Sequence, residues 1–73
     1  MTIENVKAFV DECVNNLVHC EYPYEVKTLR DKAFGVCDFA TRFCNLDSAE
    51  IAKIYQEANN HFYQEVINRI AKG

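Results

Sequence analysis

Residues 13–20 read Cys-Val-Asn-Asn-Leu-Val-His-Cys, and residues 37–44, Cys-Asp-Phe-Ala-Thr-Arg-Phe-Cys, repeat the spacing. Three architectures follow from three readings of this pair: a metal site, a disulfide framework, or a buried helical stripe. In an unbroken α-helix, residues seven apart are separated by about 10.5 Å along the axis. Both side chains tilt toward the N-terminus, so tilt does not close the gap. Two thiolates on one zinc lie at most about 4.6 Å apart, twice the Zn–S bond length. A disulfide needs Cα atoms about 4.4–6.8 Å apart. The expectation is therefore that each pair lies on continuous α-helix, two turns apart, and that the four cysteines are reduced core hydrophobes.

The flanking residues extend this reading. Thr2 is placed to cap a first helix over about 3–20. Ile3, Val6, Val10, Cys13, Leu17 and Cys20 recur three and four apart, with Phe9, Val14 and Val18 widening the stripe. Glu21-Tyr22-Pro23 interrupts it, because proline is excluded from a helix interior but suits a first turn. A second helix is expected over about 24–44, with Val26, Leu29, Ala33, Val36, Cys37, Ala40, Phe43 and Cys44 inward. Glycine in a helix costs about 1 kcal/mol relative to alanine. The stripe nevertheless keeps its phase across Gly35, which favours one helix with Gly35 facing outward.

Leu46-Asp47-Ser48-Ala49-Glu50-Ile51 carries a capping-box and staple signature, with Asp47 as cap, Glu50 three residues on, and Leu46 and Ile51 in the staple positions. A third helix follows over about 48–71, with Ile51, Ile54, Tyr55, Ala58, Phe62, Val66 and Ile70 inward. Short connections make neighbouring helices antiparallel. The expected fold is an all-α, up-down-up three-helix bundle forming a single domain over 1–73.

The doubled cysteine pattern also resembles the twin Cys-x9-Cys helical hairpins, which are cross-linked first to fourth and second to third. This chain departs from them in having six intervening residues rather than nine. Pro23 also places the turn so that Cys20 faces the region of Val26, with Cys37 more than about ten ångströms farther along. The resemblance is set aside on that ground.

With 73 residues and a net charge of −3, the chain has no basic block. That argues against a phosphate-tracking surface and so against nucleic acid as a partner. The N-terminus lacks a basic region followed by an apolar run, and nothing approaches the roughly 20 apolar residues of a membrane span. The expected setting is cytoplasmic, where thiols stay reduced.

Chemistry-bearing residues are few. His19 falls on a polar face about 100° from Cys20. His61 follows Glu57 by four residues at the edge of the third stripe. Neither belongs to a metal-binding motif, and neither metal nor cofactor is expected. The carboxylates Asp11, Glu12, Asp31 and Asp38 lie on polar faces, and a bundle this small leaves little room for a pocket of roughly 300 Å³. Enzyme activity is not expected.

The stretch Phe34-Gly-Val-Cys-Asp-Phe-Ala-Thr-Arg-Phe43 resembles the turn and recognition helix of a helix-turn-helix centred on 26–44. Such a motif would put its turn at Gly35. Asp31 and Thr41 then stand where small apolar and aliphatic residues belong, and only Arg42 offers charge to a groove. DNA binding is thus the second reading.

What remains is apolar surface. Phe34 lies off the second stripe, on the margin shared with Lys27, Arg30 and Thr41, and Phe39 lies on the other margin, nearer Gly35. Tyr63 and Ile67 drift away from the inner face of the third helix. Asn59 falls within that inner stripe, where a polar residue can set register. Several large exposed apolar side chains on a short chain point to a protein partner or a second copy as in a homodimer. Phe34, Gly35, Phe39, Tyr63 and Ile67 are the candidate interaction surface of a small accessory or regulatory module.

Overall fold

The computed structural model describes residues 1–72. It contains α1 (Ile3–Asn15), a 3-10 turn (Asn16–His19), α2 (Pro23–Phe43) and α3 (Ser48–Lys72). All three helices pack against one another in an up-down-up bundle measuring 41 × 18 × 15 Å. The long axis is set by α3, whose 25 residues span about 37 Å at 1.5 Å per residue.

Each helix start has a local cause. The Asn5 backbone N–H donates to Thr2 Oγ1 at 3.1 Å, and Asn5 Oδ1 accepts from the Thr2 backbone N–H at 3.0 Å. Two orphan donors of α1 are satisfied reciprocally, with Asn in the position more often held by Glu or Gln. At α2, Pro23 occupies the first helical position and forces Tyr22 into extended backbone. One Glu25 carboxylate oxygen accepts from the Glu21 and Tyr22 N–H groups at 3.1 and 3.0 Å. Asp47 caps α3 by accepting from the Ala49 N–H at 2.9 Å. The connection before it turns through Asn45, at φ 56 in the left-handed region. Asn tolerates that conformation and commonly closes a helix there. The Leu46 N–H points back to the Ala40 carbonyl at 3.4 Å. Leu46 and Ile51 both pack into the core from the staple positions.

The expectation of an unbroken α-helix through residues 13–20 is not met. α1 ends at Asn15, the chain tightens into the 3-10 turn, and Cys20 is extended with φ −88 and ψ 132. The axial-separation argument therefore does not apply to Cys13 and Cys20. It does apply to the second pair, because α2 is helical through Phe43 and Cys44 is its C-cap.

The exit is held by a residue distant in sequence. Arg69 of α3 donates from Nη2 to the Leu17 and Cys20 carbonyls at 3.0 and 2.9 Å, and from Nε to the Cys20 carbonyl at 3.2 Å. Its Nη1 bonds the Glu65 carbonyl and pairs with the Glu65 carboxylate. A helix end leaves carbonyls without intrahelical partners, and its negative dipole end favours a cation. The guanidinium supplies both from another helix, with its side chain only 14% exposed.

The core consists of Val6, Val10, Cys13 and Leu17, then Val26, Ala33, Cys37 and Ala40, then Ile51, Ala58 and Phe62. α2 passes through Gly35 without interruption, and a Cβ added there would meet nothing within 4 Å. Four expected core positions are corrected, Phe9 being the mildest case. Val18 is 79% exposed, because in a three-residue-per-turn helix an inward Leu17 sends its neighbour about 120° away. Phe43 ends α2 at 74% exposed, and Ile70 lies a full turn beyond Val66, past the first residue of α2, at 64% exposed. Phe9 stays at the rim rather than inside, and Cys20 and Cys44 are only half-buried.

Candidate functional site

Of the five candidate surface residues, all are exposed, but they do not form one patch. Phe34 and Phe39 are five residues apart, about 140° around α2. Phe34 meets Tyr55 of α3 edge-on, with ring centroids 5.5 Å apart, so it belongs to the α2–α3 seam. Phe39 stacks obliquely on Phe43 one turn along the same helix, at 5.3 Å. Gly35 sits on the outer face of α2. Tyr63 lies on the α2 side of α3, about two turns from Tyr55, and Ile67 follows it by one turn.

Tyr63 is one wall of a groove of ≈ 350 Å³ between the first turns of α2 and the second half of α3. Its apolar lining comes from Val26, Phe62 and Val66, with Pro23 at one end. Tyr24 stands on the α2 side, where its ring stacks on Tyr22 at 5.7 Å. Lys27 and Arg30 form the rim, and the half-buried Asn59 projects from α3. Neither Lys27 nor Arg30 makes an ion pair with a described residue; the pairs present are Lys7–Asp11, Arg42–Asp38 and Arg69–Glu65.

A second groove, of ≈ 510 Å³, lies between α1 and α3. Lys7, Asp11, Glu50, Lys53, Glu57 and His61 line it together with Ile3, Val14, Ile54 and Ala58. Its charges alternate in sign, and Lys7 is already paired with Asp11 at 3.3 Å. His61 is exposed here beside Glu57, and His19 is exposed in the 3-10 turn. The expectation that the bundle leaves little room for a pocket of roughly 300 Å³ is corrected by both grooves. They are solvent-open surface features between helices, which a count of core residues does not register.

Cys13, Cys20 and Cys37 are not poised as nucleophiles. All four are free thiols. Burial pushes Cys13, Cys20 and Cys37 up from the ordinary thiol value; for Cys37 the neighbouring Cys13 adds to the rise. A reactive cysteine requires the opposite shift. The Cys20 thiol donates to the Asn16 carbonyl at 3.7 Å.

The turn on which the helix-turn-helix reading of residues 26–44 depends is not there, since Gly35 is mid-helix. Reading residues along the chain located Tyr63 but missed Tyr24, Lys27, Arg30 and Asn59 as members of one site. A usable signal was available in α3, whose three carboxylates are Glu50, Glu57 and Glu65. At about 100° per residue all three fall on the side away from Tyr63. No helix among the described residues is long and apolar enough to cross a membrane. No known protein family, curated protein or solved structure matches the chain.

Proposed function

We propose that this chain works by protein–protein contact, as a small accessory or regulatory module in a reducing compartment such as the cytoplasm, with the α2–α3 seam as its working surface. The observation that carries this reading is the groove beside Tyr63. It joins apolar lining, two tyrosines and two cations with no ion-pair partner among the described residues on one edge of the bundle. Large aromatic and Arg side chains of this kind dominate the energetics of protein interfaces. Phe34 on Tyr55 extends the aromatic surface along the same seam.

The proposal makes the chain a binder rather than an enzyme; burial of the Cys13, Cys20 and Cys37 thiols argues only against cysteine nucleophiles. A protein partner is the expected occupant of the seam, and a second copy of the chain is the other. The test pairs affinity recovery from the native host with a solution mass measurement, using the Tyr63→Ser/Ile67→Ser variant. Both side chains are exposed, so the fold is expected to persist, as circular dichroism would verify. Loss of the recovered partner, or of a self-associated mass, is expected. Unchanged recovery and unchanged mass would reject the seam as the working surface.

A further inference from the structure

We infer that the α2–α3 groove docks an acidic amphipathic helix from a partner protein, taking one apolar anchor between Tyr24 and Tyr63 and the flanking carboxylates on Lys27 and Arg30. This rests on the protein-contact reading above and names the class of partner.

Charge is the first argument. The chain carries −3 overall, yet the groove is lined by two cations and no carboxylate. The segregation is built into α3. Glu50 and Glu57 line the opposite groove, and Glu65 is held by Arg69. On α2, Glu25 is occupied by the Glu21 and Tyr22 N–H groups, and Asp38 is paired with Arg42. Asp31 follows Lys27 by four residues but makes no ion pair with it. No carboxylate of the described residues therefore holds the cations at the rim.

Spacing is the second argument. Lys27 and Arg30 are three residues apart, so they stand about 4.5 Å apart along α2, on neighbouring positions of one face. Carboxylates three or four residues apart on a facing helix present the same interval. The Arg30 fork suits a carboxylate in two-bond geometry. A groove between antiparallel helices runs along both of them, which is the geometry of an amphipathic helix laid into a groove. The ≈ 350 Å³ available is near the low end for ligand sites. That suits an anchoring side chain better than a large cofactor. Nucleic acid is the poorer occupant, because two cations on an acidic chain do not track a phosphate backbone.

The probe is a display library of random peptides of about fifteen residues, long enough for about 22 Å of helix. It is selected on the full chain and counter-selected on the Lys27→Glu/Arg30→Glu variant. Both substituted side chains are exposed, and circular dichroism confirms that the variant is folded. The expected winners carry Leu or Phe flanked by Asp or Glu at three- and four-residue spacing. Their affinity falls about tenfold or more on the double variant and declines with rising salt. Amide shifts on binding cluster around Tyr24, Lys27, Arg30, Asn59 and Tyr63.

Winners without acidic bias, equal binding of Lys-substituted peptides, or no enrichment would each overturn the inference. Winners whose shifts map to Phe39 and Phe43 would overturn it while leaving the protein-contact reading standing. Groove shifts with a single-stranded oligonucleotide would reassign the site to nucleic acid. A concentration-dependent doubling of mass that Tyr63→Ser abolishes would reassign it to a second copy. Groove-mapped acidic peptides combined with failure to recover any host partner would instead retain this chemistry and reject the broader cellular reading.

Discussion

The two grooves flanking α3 share a helix and differ in almost everything else. The α1–α3 groove is larger, ≈ 510 against ≈ 350 Å³, and its walls carry charges of both signs. The α2–α3 groove is smaller and, among the described residues, has no carboxylate in its lining and holds two cations without ion-pair partners. Volume therefore does not identify the better docking surface. An interface gains specificity from groups whose charge or hydrogen-bonding capacity the free protein leaves unused. In the α1–α3 groove part of that capacity is already spent on Lys7 and Asp11.

The comparison is most severely stressed at Phe62, which is fully buried and lines the α2–α3 groove. Phe62→Ala should cost about 3–5 kcal/mol, a large share of the stability of a chain this short. Urea unfolding would show whether the groove floor and the global core are one unit. A loss below about 1 kcal/mol would mean that the groove is separable from the core.

Arg69→Ala should follow, at about 1.5–3 kcal/mol for lost charged hydrogen bonds, with Arg69→Lys recovering only part because an ammonium lacks the planar fork. Hydrogen exchange should quicken around Leu17–Cys20 more than around Tyr24. Equal quickening at both would tie the exit of α1 to the α2–α3 groove mechanically.

Gly35→Ala should stabilise α2 by about 0.5–1 kcal/mol, since its φ is not positive and the added methyl meets nothing within 4 Å. Binding in the α2–α3 groove should not change. A drop in binding together with higher stability would move the interface to the outer face of α2. Smallest of all, Lys7→Ala should cost about 0.3–0.5 kcal/mol through its exposed pair with Asp11. Lys27→Ala, which has no ion pair to lose, should leave the melting temperature where it was. A larger effect at Lys27 than at Lys7 would reverse the contrast drawn between the grooves.

Much of the bundle can be read along the chain. Thr2, Pro23 and Asp47 act within a few residues of themselves, and so do the helix starts that they determine. The stripe through Gly35 keeps its phase because seven-residue recurrence is a local property. Exposure of Phe34, Phe39, Tyr63 and Ile67 followed from the same periodicity. The end of α1 did not, since its partner Arg69 lies 49 and 52 residues away. Val18, Phe43 and Ile70 were misplaced because a helical wheel assigns an inner face without knowing where the neighbouring helix stops or where the winding changes. The groove was missed for a related reason. Tyr24, Lys27 and Arg30 face Asn59 and Tyr63 only once α2 and α3 are side by side, although the one-sided carboxylates of α3 already marked the neutral edge.

The tie from Arg69 also has a bearing on synthesis. The Leu17 and Cys20 carbonyls are made first, and the guanidinium that closes them is translated 52 and 49 codons later. A nascent chain halted before that codon has its first two helices complete in composition, but the exit of the first is unsealed. Closure of this exit by the guanidinium thus waits until the third helix has been made.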